Sequence, residues 1–252
     1  MKEIQQLLEI MKAIREKCPW DAKQTHESLK RYMVEEVYEA LDAIEQNDAD
    51  HLKNELGDLL LQIVFHSQIA SEKNEFNFKD VIKTISNKMV DRHPHVFLSD
   101  KKISAEEVMN NWEKNKHKKE NRQSILSGIP NHLPALLKAQ RMQDKAASVG
   151  FDWEKVEQVI EKLEEEIAEF KRAVKRKDTR EIENEFGDIL FTIVNLSRFN
   201  NIIAEEALQR VNKKFRKRFN YIEKKMNNNP QNISDASMES LDALWEQAKD
   251  YD

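Results

Sequence analysis

The residues best placed for chemistry are eight carboxylates in two matching sets. Glu36 and Glu39 lie three apart, as do Glu55 and Asp58; Glu166 and Glu169, then Glu185 and Asp188, repeat the pattern at an offset of 130. Residues three apart on a helix are neighbours on one face. If the chain folds back antiparallel about residue 47, Glu39 and Glu55 are each eight residues from the turn, and Glu36 and Asp58 eleven. The four acids then meet as two facing pairs, about 12–16 Å from the turn at the helical rise per residue. Folding about residue 177 assembles the second quartet in the same way. Converging carboxylates repel unless they take up protons or cations. The donors are all oxygen, with no His or Cys at matching positions, which suits Mg2+ or Mn2+ and argues against zinc. A di-iron carboxylate bundle would carry Glu-x-x-His on facing helices, whereas the fourth ligand here is Asp.

The ordinary alternative is a solvated acidic face, and two features weigh against it. Asp58 and Asp188 sit inside the apolar runs LGDLLLQIVF and FGDILFTIV, where burying an unpaired charge is costly. Gly57 and Gly187, two of the four glycines in the chain, stand beside them in mid-helix, at a cost of about 1 kcal/mol each relative to Ala. Close helix approach, or a backbone lying near a ligand, would account for them.

The elements that must position these acids are helices. Leu29, Tyr32, Met33, Val37, Leu41 and Ile44 recur at helical spacing, as do Ile160, Leu163, Ile167, Phe170 and Val174. The segments NDAD (47–50) and RKDT (176–179) predict tight turns, with Asp48 and Asp178 as N-caps of the returning helices. No strand pattern stands out. The expected fold is all-α, built from two tandem helical modules, each carrying an antiparallel hairpin with Glu-x-x-Glu and Glu-x-x-Asp. Internal repetition supports the duplication. NELGDLLLQIVFHS (54–67) and NEFGDILFTIVNLS (184–197) share eight of fourteen positions without a gap. A shift of 133 pairs Trp112, Glu113 and Lys116 with Trp245, Glu246 and Lys249. The polar stretch 117–134, with Gly128, Pro130 and Pro134, reads as a linker, so the halves are expected at 1–122 and 123–252.

These residues resemble a known family. Glu-Glu-x-x-Glu, a short spacer and Glu-hydrophobe-Gly-Asp resemble the all-α nucleoside triphosphate pyrophosphohydrolases, and within them MazG. The N-terminal half carries CPWD (18–21) with Gln24-Thr25, VEEVYEALDAI, ELGDLLLQIVFH and RHPHVF (92–97). The C-terminal half carries LPALLKAQRMQDKAASVGFDW (133–153), EEIAE, EFGD, VNKKFRKRF (211–219) and LWEQAK (244–249). The resemblance spans nearly the whole chain. Many relatives carry a methyltransferase domain ahead of this unit; none is expected within these 252 residues. The resemblance implies Mg2+-dependent cleavage of nucleoside triphosphates between the α and β phosphates, giving the monophosphate and pyrophosphate, with clearance of aberrant nucleotides as one cellular role. It implies a homodimer in which the C-terminal module is the main catalytic one. By motif, Glu166, Glu169, Glu185 and Asp188 are the catalytic metal ligands, and Glu36, Glu39, Glu55 and Asp58 a second metal set. Lys214 and Arg218 match triphosphate contacts, Trp245 a base-stacking platform with Lys249 one turn away, and Lys162 a further phosphate contact. The alternative function is a regulatory helical dimer that binds nucleotides with little turnover.

Bulk properties narrow the class. A net charge of −5 gives nucleic-acid binding no general electrostatic support. No apolar run approaches the length of a membrane span, and the start of the chain has no signal-peptide core. The single cysteine, Cys18, excludes an intrachain disulfide and fits a cytoplasmic protein. Pro94 between His93 and His95 favours extended backbone and a capped turn over a metal pair. Trp20, after Pro19, is expected to plug a core or a pocket wall. In the N-terminal half, RHPHVF is expected to end its helix early and alter the pocket.

Overall fold

The structure, a computed structural model, describes residues 2–97, 104, 107, 124–228 and 233–251. The expected boundary at 122/123, and Trp112, Glu113 and Lys116, lie outside them. The chain divides into two compact units, Met1–Trp112 and Glu113–Asp252. Among the described residues every regular element is helical.

Unit 1 contains α1 (Lys2–Lys17), a 3-10 turn (Asp21–Lys23), α2 (His26–Gln46), α3 (Ala49–Glu72), α4 (Phe78–Arg92) and the single turn α5 (Pro94–Phe97). Unit 2 contains α6 (Ala135–Ala147), α7 (Val156–Arg176), α8 (Thr179–Phe199), α9 (Ala204–Lys225), α10 (Met238–Ala248) and a closing 3-10 turn (Lys249–Tyr251). In each unit the central feature is a helix hairpin, α2–α3 or α7–α8, with one earlier helix laid against its second arm: α1 on α3, and α6 on α8.

Both hairpins turn in the same way. Asn47 closes α2 in the left-handed region at φ 53°, and Asp48 then caps α3 by accepting from His51 N at 3.0 Å. Lys177 closes α7 at φ 57°, and Asp178 accepts from Arg180 N at 3.1 Å and Glu181 N at 3.2 Å. Asn reaches this backbone region readily, while Lys does so against its steric preference. Both predicted N-caps are therefore present. The two-residue connection fixes the register of the arms, and so decides which acids face each other.

Unit 1 has a contiguous core of Met11, Leu29, Val64, Phe65, Ile69 and Phe78, with Leu7, Leu8, Tyr32 and Leu61 packed around it. In unit 2, Val159, Val194 and Ile222 are buried, and polar groups of α6 tie it to its neighbours. Gln143 of α6 donates to Phe191 O at 2.8 Å, and Gln140 accepts from Ala204 N at 3.2 Å. The buried Lys145 donates to Ile125 O at 3.0 Å and Ser127 O at 3.2 Å, satisfying its charge with carbonyls.

Several expectations change. Trp20 plugs no core: it is 54% exposed, edge-on to Tyr32 with ring centroids 6.2 Å apart. Asp58 and Asp188 are exposed, and so are apolar neighbours of theirs: Leu56 and Leu60 in unit 1, Phe186 and Leu190 in unit 2. Glu55 and Glu166 are the buried acids, at 8% and 6% exposure. A Cβ on Gly57 or Gly187 would meet nothing within 4 Å, so close helix approach within the chain does not explain them. The RHPHVF expectation holds: α4 stops at Arg92 with His93 as its C-cap, whereas α9 runs on to Lys225.

The capped turn gives a direct test. Asp178→Ala removes the acceptor for two backbone N–H groups and is expected to cost about 1 kcal/mol of stability. Chemical denaturation should show a lower midpoint with an unchanged m-value; an unchanged midpoint would mean that the turn is held by other interactions.

Candidate functional site

Each hairpin brings its acids together as the spacing predicts. In unit 1, oxygens of Glu36, Glu39 and Glu55 all lie within 4.8 Å of one another; in unit 2, those of Glu166, Glu185 and Asp188 do so. The fourth member stays in the same electrostatic neighbourhood. Partial desolvation, then Asp58, Glu39 and Glu55, push the Glu36 carboxyl above its ordinary range. Glu185 is pushed up by desolvation, then by Glu169, Glu166 and Asp188. Glu169 is drawn aside by Arg172, 2.9 Å away. These all-oxygen clusters, with mutual repulsion and one buried member each, fit a hard divalent cation.

Local cations moderate the repulsion. In unit 2, Lys162 lies one turn before Glu166, with Nζ 2.8 Å from it and 3.1 Å from Glu165, and these contacts raise the Lys162 pKa. In unit 1 the residue against the buried Glu55 is His51, 3.1 Å away, a cation only when its ring is protonated.

The surroundings of the two clusters differ. In unit 2, Lys162, Glu166 and Asp188 line a cavity of about 600 Å3, within the range of ligand sites. Its other walls come from α6, from the loop around Phe151 and Trp153, and from Thr192, Asn195 and Arg198 of α8. Gly150 is in the left-handed region at φ 87°, which turns the chain out of α6 and leaves Phe151 82% exposed. In unit 1 the position 130 residues before Asn195 is Phe65, only 5% exposed and part of the core. Arg15 of α1 lies over that ring, its guanidinium carbon 5.7 Å from the centroid, and pairs with Glu72 at 2.6 Å. A 440 Å3 cavity in unit 1 is lined by Phe76 and residues of α4 and includes none of Glu36, Glu39, Glu55 and Asp58.

Four other expected site residues form a second group. Lys214 and Arg218 are one turn apart on α9. The Arg218 guanidinium lies 5.2 Å from the Trp245 ring, which also packs on Phe215 with centroids 5.2 Å apart. Lys249 pairs with Glu246. None of these four lines the 600 Å3 cavity. The cavity instead brings in Phe151, Trp153, Asn195 and the Asp152–Arg198 ion pair, to which the sequence reading gave no role. Asp152 and Arg198 are 46 residues apart with no motif spacing between them.

Fold and site together define a class: helical proteins in which a two-helix hairpin presents converging carboxylates, here beside a ligand-sized cavity. Comparison with known proteins narrows it. Residues 24–97 and 154–222 each match the MazG nucleotide pyrophosphohydrolase domain. The chain is 46% identical over 252 residues to the nucleoside triphosphate pyrophosphohydrolase/pyrophosphatase MazG of Thermotoga maritima, covering 98% of this chain and 96% of that protein. It is 40% identical over 257 residues to the nucleoside triphosphate pyrophosphohydrolase of Escherichia coli, covering 99% and 98% respectively. A solved MazG-related protein from Thermotoga maritima matches 44% of this chain and 97% of its own, at 30% identity and a TM-score of 0.40. The chain belongs to the MazG family. No described helix is long and apolar enough to cross a membrane.

The raised Glu185 carboxyl has a thermodynamic consequence. Its pKa is higher folded than unfolded, so the folded, metal-free protein binds more protons and loses stability as pH rises through and above the ordinary carboxylate range. Glu185→Gln removes this term. In EDTA at neutral pH the variant should melt above the wild type, and the gap should shrink as pH falls toward the acid range. A variant that melts lower at neutral pH would contradict the repulsion.

Proposed function

We propose that this chain is a Mg2+-dependent nucleoside triphosphate pyrophosphohydrolase, cleaving NTPs and dNTPs between the α and β phosphates to the monophosphate and pyrophosphate. The C-terminal module does most of the turnover. The observation that carries this reading is the cavity of about 600 Å3 lined by Glu166, Asp188 and Lys162 in a chain of the MazG family.

Glu166, Glu169, Glu185 and Asp188 are proposed to hold Mg2+, or Mn2+ in its place. A cation held there would polarise the phosphates and lower the pKa of the attacking water. Lys162, now 2.8 Å from Glu166, would supply a positive charge to a phosphate oxygen beside these acids. The motif match alone supports Lys214 and Arg218 as triphosphate contacts and Trp245, with Lys249 one turn away, as a base platform; none of the four lines the cavity beside the acids. Positioned cations add orientation to charge stabilisation. Glu36, Glu39, Glu55 and Asp58 are proposed to bind a cation with little turnover of nucleotide, since the place that Asn195 holds in unit 2 is taken in unit 1 by the core residue Phe65, with Arg15 over its ring. Clearance of aberrant nucleotides is the cellular role proposed with this activity, and the cytoplasm its compartment.

A homodimer is proposed as the working assembly. Val37, Leu41 and Ile44 on α2, Leu60 and Ile63 on α3, and Phe186, Leu190 and Ile193 on α8 are all more than a third exposed. Apolar faces of this extent mark interaction surfaces, and a second copy would cover them symmetrically.

With Mg2+, NTP should yield NMP and pyrophosphate with no NDP, and EDTA should abolish turnover; NDP with orthophosphate would exclude this cleavage site. On folded protein, Asp188→Ala should lower kcat by about a hundredfold or more, the scale of losing an electrostatic stabiliser, and Asp58→Ala far less. The reverse order would move catalysis to the N-terminal module. Light scattering should give about twice the chain mass of 29.7 kDa; a fully active monomer would sink the dimer.

A further inference from the structure

One wall of the unit 2 cavity carries a polar group for which the acids have no use. Asn195 lies seven residues beyond Asp188 on α8, on the same helical face and about 10 Å further along the axis. That is roughly the reach from an α-phosphate across the sugar to the edge of a base. Phe191 and Thr192 line the cavity between them.

The orientation of the Asn195 amide is set by its neighbours. Arg198 donates to its Oδ1 from Nη2 at 2.8 Å and from Nε at 3.3 Å. The same guanidinium is held by Asp152, with Nη1 2.9 Å from Oδ2 and a second, Nη2–Oδ1 contact. A flipped amide would turn its NH2 group toward a guanidinium that can only donate. The Asn195 carbonyl is therefore engaged, and what the residue offers a ligand is the Nδ2 donor. Asp152 also accepts from Trp153 N at 2.9 Å, so the ion pair fixes the loop whose Phe151 and Trp153 rings line the cavity. Aromatic rings of this kind take the face of a base and leave its edge to be read by polar groups.

We propose that Asn195 is a specificity-determining residue that reads the base edge by donating from Nδ2. It selects bases with a carbonyl there (uracil, thymine, guanine, hypoxanthine) over the amino bases cytosine and adenine. A carbonyl oxygen accepts the Asn195 N–H, whereas an exocyclic amine sets donor against donor and leaves both unsatisfied in a partly enclosed site. Arg198 and Asp152 are positioning residues that act through Asn195 and the loop. Phe65, at the matching place in unit 1, can make no such bond. The inference rests on the proposed function, in that it takes the phosphates to lie at Glu166 and Asp188; it departs from the motif match in seating the base in the cavity beside Asn195 and not on Trp245, which does not line that cavity.

The test is calorimetric binding of the α,β-methylene analogues of UTP and CTP to the full chain with Mg2+, alongside kcat/KM for UTP against CTP and ITP against ATP. The wild type should favour the carbonyl member of each pair by about tenfold, the scale of one hydrogen bond made against one left unsatisfied. Asn195→Ala should bring the ratios near one. Asn195→Asp, isosteric and still presenting an oxygen to Arg198, should offer an acceptor and tip the ratios toward CTP and ATP. Equal wild-type binding of the two analogues, or a preference that survives Asn195→Ala, would overturn the inference while leaving the hydrolase reading standing. If neither analogue binds and no triphosphate yields pyrophosphate, both fall together.

Discussion

The repulsion among four carboxylates on one helix hairpin is the constraint around which each unit is arranged. Carboxylates whose oxygens approach within 4.8 Å raise one another's proton affinity, and a free helix pair would splay or slip to relieve this. Here the arms can do neither. A left-handed residue followed by a capping aspartate sets the register at both turns, Asn47-Asp48 and Lys177-Asp178. A further helix, α1 or α6, then bears on the second arm. Part of the cost is offset locally in unit 2, by Lys162 on Glu166 and Arg172 on Glu169. The rest would be relieved by the divalent cation proposed to bind there.

Holding the acids together is not sufficient for chemistry on a nucleotide, and the two units separate these requirements. Their clusters have similar geometry but different neighbours. In unit 1 a contiguous apolar core runs up to Phe65 and Arg15 lies across its ring. In unit 2 Asn195 stands in the place of Phe65, polar groups of α6 tie it to its neighbours, and a cavity opens beside the acids. After a duplication, filling one pocket with core side chains adds stability at the expense of a binding site. This difference in packing is what supports the proposed division of labour between the units.

What the sequence made legible follows from the range of the interactions concerned. The hairpins, their capping aspartates, the acid quartets and the early stop of α4 depend on residues within a turn or two, or on a register fixed by a short loop. They could therefore be read from spacing. The walls of the cavity could not. Asp152 and Arg198 meet across 46 residues, and Asn195 gains its role only because Arg198 orients it. Burial was misjudged where composition stood in for position: Asp58 and Asp188 lie among apolar residues in sequence, yet they and several of those neighbours are exposed. Gly57 and Gly187 face open space, so the reason for them lies outside the packing of one chain.

The central claim is that the unit 2 carboxylates hold a divalent cation at the mouth of a nucleotide pocket. Its most direct test is a crystal structure of the chain with Mg2+ and an α,β-methylene nucleoside triphosphate. The expected result is an ion held by carboxylates of the set Glu166, Glu169, Glu185 and Asp188, with the phosphates against it and the nucleoside in the cavity beside Asn195. An ion bound elsewhere, or a nucleotide seated away from these acids, would contradict it.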